Sequence, residues 1–253
     1  MAADVALSQA LAYARDLKNL YEVARVREEE TVRAHNKLRA AYQQSLAYAV
    51  DLKTTHRRLQ RSILQSLLGL ANALEAKDEY TRGHSDRVAA LARRLALETG
   101  LTVRQADVIA QSGLLHDLGK IGVPEHILRK SGPLTQEEWA VMRRHPVTGS
   151  QIVAPLESFA EGALIVRHHH EREDGSGYPD GLSGETIPLG ARVVAVADVY
   201  DALTSERPYR RALTHAEALD RLATEAGRTL DARLTRLFTD MVAHAPPDRP
   251  ARN

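Results

Sequence analysis

At 253 residues and a formal net charge of +1, the chain has room for one large domain, or for one medium domain with an extension. So even a charge balance sets up no overall field for a nucleic acid polymer or an anionic membrane, and any anion must be recognised locally. There is no Cys, which removes disulfides, iron–sulfur clusters and thiolate zinc sites and leaves His, Asp and Glu as the metal ligands to look for.

The opening MAADVALSQALAYARD has neither a basic n-region nor an apolar h-region, so it does not read as a signal peptide. The longest apolar stretch, Val193 to Val199, is interrupted by Asp198 and falls far short of the ~20 residues that span a bilayer. A cytoplasmic protein is expected. Residues 1–68 contain no Pro or Gly and are rich in Ala, Leu, Arg, Glu and Gln, all strong helix formers. A 3-4 repeat runs through them from Leu7, Ala10, Ala14, Leu17 and Tyr21 to Leu59, Ile63, Ser66 and Leu70. Sustained spacing of that kind predicts a coiled coil, here a continuous parallel homodimer. Glu28, Thr31 and His35 weaken the seam at its centre, where an antiparallel hairpin folded near 28–35 is the competing arrangement. His35 and His56 also fall on this seam.

Gly69 is the first glycine, and it marks the expected start of a second domain over 69–253. An apolar helix over 67–76 leads to KDEYTRGHSDRV and a helical run ending near Glu98, with Gly100 placed as a C-cap residue would be. Thr102 opens a helix predicted over 103–118, and Gly119, Gly122 and Pro124 then break the chain. Thr135 and Glu138 are spaced as a capping box. Further helices are predicted to begin at His145-Pro146 and to cover 158–169. Residues 172–190 hold several Gly and two Pro, a loop whose length points to function. The segment 191–204 is apolar apart from Arg192, Asp198 and Asp201, as a central buried helix would be. Helices over 214–223 and 231–243 close an all-α chain, since no alternating strand pattern appears.

The chemistry concentrates on LLHDLGK, Leu114 to Lys120. A carboxylate inside an apolar helix is costly unless it is paired or bound to metal. On a helix His116 and Asp117 would project about 100° apart, close enough to converge on one ion. The chain also offers His84, His145, the run His168, His169 and His170, and Asp198. Facing helices build metal sites from such residues. The five imidazoles of His84, His116, His145, His169 and His170 and the carboxylates of Asp117 and Asp198 exceed the needs of one ion and suit two ions sharing a bridging carboxylate, for which Asp117 is the natural choice. Two metals ~3.5–4 Å apart clamp a phosphate during its displacement. Imidazole-rich sites without sulfur favour Fe, Mn, Ni or Zn over Mg or Ca.

YTRGHSDRV, LLHDLGKIGVPEHIL, HPVTGSQIV, HHEREDGSGYPDGL and RVVAVADVYDALTSERPYR resemble, in order and spacing, the HD-GYP subgroup of the HD phosphohydrolases. The resemblance covers about residues 69–245. It implies an HD-superfamily helical bundle and a phosphodiesterase that opens cyclic di-GMP to pGpG, with further cleavage to GMP left open, at two divalent metals, Fe or Mn ahead of Ni or Zn. By position, His84, His116, Asp117 and Asp198 match the first metal site; His145, His169 and His170, with Asp117 bridging, match the second. Lys120 resembles the family lysine that neutralises phosphate charge or protonates the leaving oxygen. Tyr178, between Gly177 and Pro179, offers an aromatic face for a guanine, and Arg207 and Arg210 resemble residues that hold the substrate's phosphates. Asp201 fits a role behind the ligands, as an acceptor orienting a histidine or as a partner for Arg207. Tyr80 stands where some relatives carry a Glu that supplies a third metal, which points to the two-metal branch. Glu173 departs from an aromatic position and would loosen packing over the substrate. His168 is expected beside the site, and His126, His215 and His244 at the surface. Another cyclic dinucleotide such as 3′,3′-cGAMP is the alternative substrate, and a receptor or protein-interaction module without turnover is the alternative class. The N-terminal helix is expected to dimerise and to take its signal from an upstream sensor or regulator protein.

Overall fold

The computed structural model describes residues 2–75, 83–206 and 211–243. Its α-helices are α1 (Ala2–Glu75), α2 (His84–Glu98), α3 (Val103–Leu115), α4 (Glu125–Leu128), α5 (Gln136–Met142), α6 (His145–Val153), α7 (Ala160–His168), α8 (Leu189–Thr204), α9 (His215–Glu225) and α10 (Ala232–Ala243). Short 3-10 turns occupy Leu118–Gly122, Glu157–Phe159 and Gly184–Thr186. The described residues contain no β-strand, so the fold is all-α, and no helix among them is long and apolar enough to cross a membrane. Tyr80, Arg207, Arg210 and His244 lie outside the described residues.

The chain divides into two compact units, Met1–Leu59 and Gln60–Asn253. In the first, every side chain from 3 to 59 is exposed, apolar ones included: Leu7 at 63%, Leu17 at 70% and Leu52 at 72%. Here the helix rests on its composition and on i,i+4 ion pairs, such as Glu29 with Arg25 and Arg33, each worth about 0.2–0.5 kcal/mol.

The second unit is built around α8. Val193, Val194, Val196 and Ala197 are fully buried among Val88, Ala92 and Leu95 of α2, Ile109 of α3, Leu222 of α9 and Leu234 and Phe238 of α10. Burying each large aliphatic or aromatic side chain contributes roughly 1.5–3 kcal/mol. A second cluster joins Leu115, Leu118, Val153, Leu156, Phe159 and Val166 to Ala71, with Leu64, Leu67 and Leu68 packed against it. Capping boxes fix the starts of three helices: Thr102 with Gln105, Thr135 with Glu138 and Thr214 with Glu217.

Two boundaries differ from the sequence expectation, with consequences for the site. The helix predicted to reach residue 118 ends at Leu115; His116 is its C-cap, and Asp117 has φ −95° and ψ 1° ahead of the 3-10 turn. The His-Asp pair therefore stands at a helix end. Gly119 permits that end to touch α6, since a Cβ there would lie 1.9 Å from the His145 carbonyl oxygen and 2.5 Å from the Gly149 nitrogen. The helix expected over 158–169 is a 3-10 turn followed by α7, which stops at His168 and leaves His169 as its C-cap.

Candidate metal centre

Five elements deliver the ligand candidates to one place. His84 opens α2, His116 and Asp117 follow α3, His145 opens α6, His169 and His170 follow α7, and Asp198 lies midway along α8. All but Asp198 stand at a helix terminus, where backbone groups lack partners inside the helix. Three histidines exploit this. The Nδ1 atoms of His116, His145 and His169 lie 2.6, 2.8 and 2.7 Å from the carbonyl oxygens of Gly113, Met142 and Val166, three residues earlier in each case. With Nδ1–H donating to a carbonyl, Nε2 keeps the lone pair a metal requires.

His84 is held differently. Its Nδ1 is 2.7 Å from Asp201 Oδ2 and its Nε2 is 3.2 Å from Asp198 Oδ1. Asp201 is buried and also accepts from Arg87, through Nε at 2.6 Å and Nη2 at 2.9 Å. Of the two roles expected for Asp201, the contact with His84 is that of an acceptor orienting a histidine; Arg207 lies outside the described residues, and among those described the guanidinium on Asp201 is that of Arg87, one turn beyond His84.

The two oxygens of Asp117 lie near different imidazoles. Oδ2 is 3.4 Å from His116 Nε2, and Oδ1 is 3.4 Å from His145 Nε2. Donor atoms within 4.8 Å of one another form three groups: His84, His116 and Asp198; His116, Asp117 and His169; His145, His169 and His170. The middle group shares a histidine with each outer group. Neighbouring imidazoles meet edge to face, with ring centroids 5.3 Å apart for His84 and His116 and 5.1 Å for His116 and His169. This set of imidazole nitrogens and carboxylate oxygens fits divalent transition metals.

Electrostatics divide the cluster. Burial pushes His84 down, but hydrogen bonds to Asp198 and Asp201 and the charges of Asp198 and Asp117 outweigh it and raise the imidazole to about 10. Burial works to raise Asp198 and Asp117 as well, yet His84 and His116 hold the first, and Lys120 and His116 the second, well below the usual carboxylate range. On the other side burial, with neighbouring imidazoles, lowers His170 to about 3 and drives His169 far down. Burial also lowers His145. These three stay neutral, as ligands must be. Lys120 Nζ sits 2.5 Å from Asp117 Oδ2, and both line a cleft with Glu75, Ser85, Leu114 and Leu128.

The glycine-rich loop is clamped beside the histidines. Tyr178 lies over His170 with centroids 4.8 Å apart, and its backbone nitrogen donates to the His170 carbonyl at 3.2 Å. The Tyr178–Pro179 peptide is cis. Gly177 packs on backbone; a Cβ there would lie 2.5 Å from the Arg172 nitrogen and from Glu171 Cα. Buried Glu171 accepts from the amides of Asp180 at 2.7 Å and Leu182 at 3.1 Å. His168 turns away from the cluster: its Nε2 is 2.9 Å from Asp180 Oδ2, a carboxylate that Arg167 also grips. Its position is that of a loop anchor. His215, expected at the surface, is half-buried with Nδ1 2.8 Å from the Tyr200 hydroxyl.

Sequence reasoning did not single out Glu171, Arg87, Glu75 or Arg143. Glu171 stands inside the HHE motif, so a signal for it was present; the others depend on partners far along the chain. The HD domain description matches residues 69–234, the span that contributes every ligand candidate above. This chain belongs to the HD domain family. The chain is 42% identical over 193 residues to a cyclic di-GMP phosphodiesterase response regulator, RpfG, of Xanthomonas campestris, covering 76% of this chain and 51% of that protein. It is 37% identical over 193 residues to 3'3'-cGAMP-specific phosphodiesterase 2 of Vibrio cholerae, covering 76% of this chain and 36% of that one. The chain thus spans about half the length, or less, of these relatives. Among solved structures, Bd1817, an HDG"Y"P protein from Bdellovibrio bacteriovorus, shares the fold with a TM-score of 0.53 at 24% identity, over 63% of this chain and 51% of that one. The HD-GYP resemblance read from the motifs agrees with this family.

Proposed function

We propose that the chain is a metal-dependent phosphodiesterase that hydrolyses cyclic di-GMP to pGpG. The observation that carries this reading is Asp117, whose two carboxylate oxygens face different imidazoles, His116 and His145, while Lys120 rests on one of them. A carboxylate so placed is suited to bridge two divalent ions, Fe or Mn ahead of Ni or Zn. His84, His116 and Asp198 would hold one ion, and His145, His169 and His170 the other. When bound, such ions act as Lewis acids on phosphate oxygens and supply a nucleophile at neutral pH.

The protein's own groups do the rest. The carbonyls of Gly113, Met142 and Val166 and the Asp201 carboxylate fix the tautomer and angle of the His116, His145, His169 and His84 imidazoles. Lys120 places an ammonium beside Asp117, where it stabilises charge developing on the phosphate or protonates the leaving oxygen. Arg207 and Arg210 would hold the substrate's phosphates, and Tyr178 with Gly177 and Pro179 would shape the rim. Residues 69–253 would form the phosphodiesterase domain, working in the cytoplasm. Residues 1–68 would form a parallel homodimer that takes a signal from an upstream sensor or regulator protein.

Similarity to a 3'3'-cGAMP-specific phosphodiesterase favours that dinucleotide as the second substrate to test. The full chain, purified without chelators and assayed by product chromatography with each dinucleotide, should yield pGpG from cyclic di-GMP. Preference for 3′,3′-cGAMP would move the assignment to that substrate. Tight binding without turnover in the presence of Mn or Fe would make the chain a receptor.

A further inference from the structure

Arg143 is an exposed side chain at the C-cap of α5, two residues before the ligand candidate His145. Its guanidinium carbon lies 5.5 Å from the centre of the Tyr178 ring and 5.9 Å from that of Trp139. Tyr178 in turn lies against His170, so Arg143 stands one ring outward from the histidine cluster. Among the described residues no carboxylate pairs with it, whereas other arginines of this unit do pair: Arg87 with Asp201, Arg93 with Asp107, Arg167 with Asp180 and Arg192 with Asp231. A cation held by aromatic faces is fixed in place at little cost in desolvation. Contact through the faces leaves the N–H edges of the fork free, and those edges bind phosphate oxygens in pairs. With a chain net charge of only +1, attraction for a dianionic substrate must come from single placed cations of this kind.

We infer that Arg143, held by Tyr178 and Trp139, binds the phosphodiester of the cyclic dinucleotide that is not being cleaved. This rests on the phosphodiesterase reading and adds an anion contact to those proposed for Lys120, Arg207 and Arg210. Lys120 serves the phosphate at the metal ligands, and Arg143 serves the other one across the ring of Tyr178. A small diester with a single phosphate would reach the first and not the second.

The test compares full-length protein with Arg143→Ala and Arg143→Lys on two substrates, cyclic di-GMP and bis(p-nitrophenyl) phosphate, together with equilibrium binding of cyclic di-GMP. A hydrogen bond to a charged group is worth enough that Arg143→Ala should cost about tenfold or more in cyclic di-GMP affinity and kcat/KM. The loss on the small diester should be several-fold smaller, and Arg143→Lys should recover only part, because an ammonium cannot make the paired contact. Equal losses on both substrates, or an unaltered affinity for cyclic di-GMP, would overturn the assignment. If the unaltered protein cleaved neither substrate, the phosphodiesterase reading would fail, and the binding comparison alone would still decide the role of Arg143.

Discussion

Lys120 touches Asp117 and Asp201 touches His84, and their substitutions should separate rate from metal retention. Lys120→Ala removes an ammonium 2.5 Å from Asp117 without removing a donor of the metal groups. Metal content by elemental analysis should stay near that of the unaltered protein while kcat falls about a hundredfold, the usual loss for a donor to developing negative charge. Near-normal turnover would leave Lys120 without a role at the phosphate. Asp201→Ala leaves His84 Nδ1 without its acceptor and strips Arg87 of its carboxylate. Metal affinity, read by chelator competition, should weaken about 10–100-fold, as when the partner of a ligating histidine is removed. Asp117→Ala should release metal and abolish turnover together, because that carboxylate reaches His116 in one outer group and His145 in the other.

At the scale of elements, most of the site depends on how helices end. Glu75, the last residue of α1, accepts from the backbone amides of Ser85 at 2.7 Å and Gly83 at 3.1 Å, and so caps the start of α2 beside His84. Losing a helix cap costs about 1 kcal/mol. Glu75→Ala should therefore lower the denaturation midpoint modestly and speed amide exchange at Gly83 and Ser85 above that of the rest of α2. Gly119→Ala should cost more, about 1–3 kcal/mol or beyond in chemical denaturation, because its Cβ would collide with backbone of α6 that no rotamer can move. Helix order, the all-α class and the residue types of the donor set were legible in the sequence. Each depends on local periodicity or on a side chain's own chemistry, and His84, His116, His145, His169, His170, Asp117 and Asp198 do converge. The break after Leu115 was not legible, since Val103 to Leu118 keeps helical spacing through it and only packing of Gly119 on α6 shows why it falls there. Arg87 was hidden for another reason: its meaning lies in Asp201, 114 positions away. Arg143 likewise draws its place from Tyr178, across a loop.

For the molecule as a whole, the proposed parallel dimer makes assembly the decisive measurement. Light scattering on the full chain at micromolar concentration should give twice the chain mass, and a monomer would exclude the coiled coil. The first unit, with Leu7, Leu17, Tyr42 and Leu52 each more than 60% exposed, has no core of its own. Helices in proteins draw most of their stability from burying one face, and what a subunit contact supplies depends on protomer concentration. Dilution should then act on this segment as a denaturant does. Far-ultraviolet helicity of the full chain should fall as protein concentration drops through the dissociation range, and a chain beginning near Ser66 should show no such dependence. In a bacterium-sized volume, the number of copies made would itself set what fraction of this helix is folded.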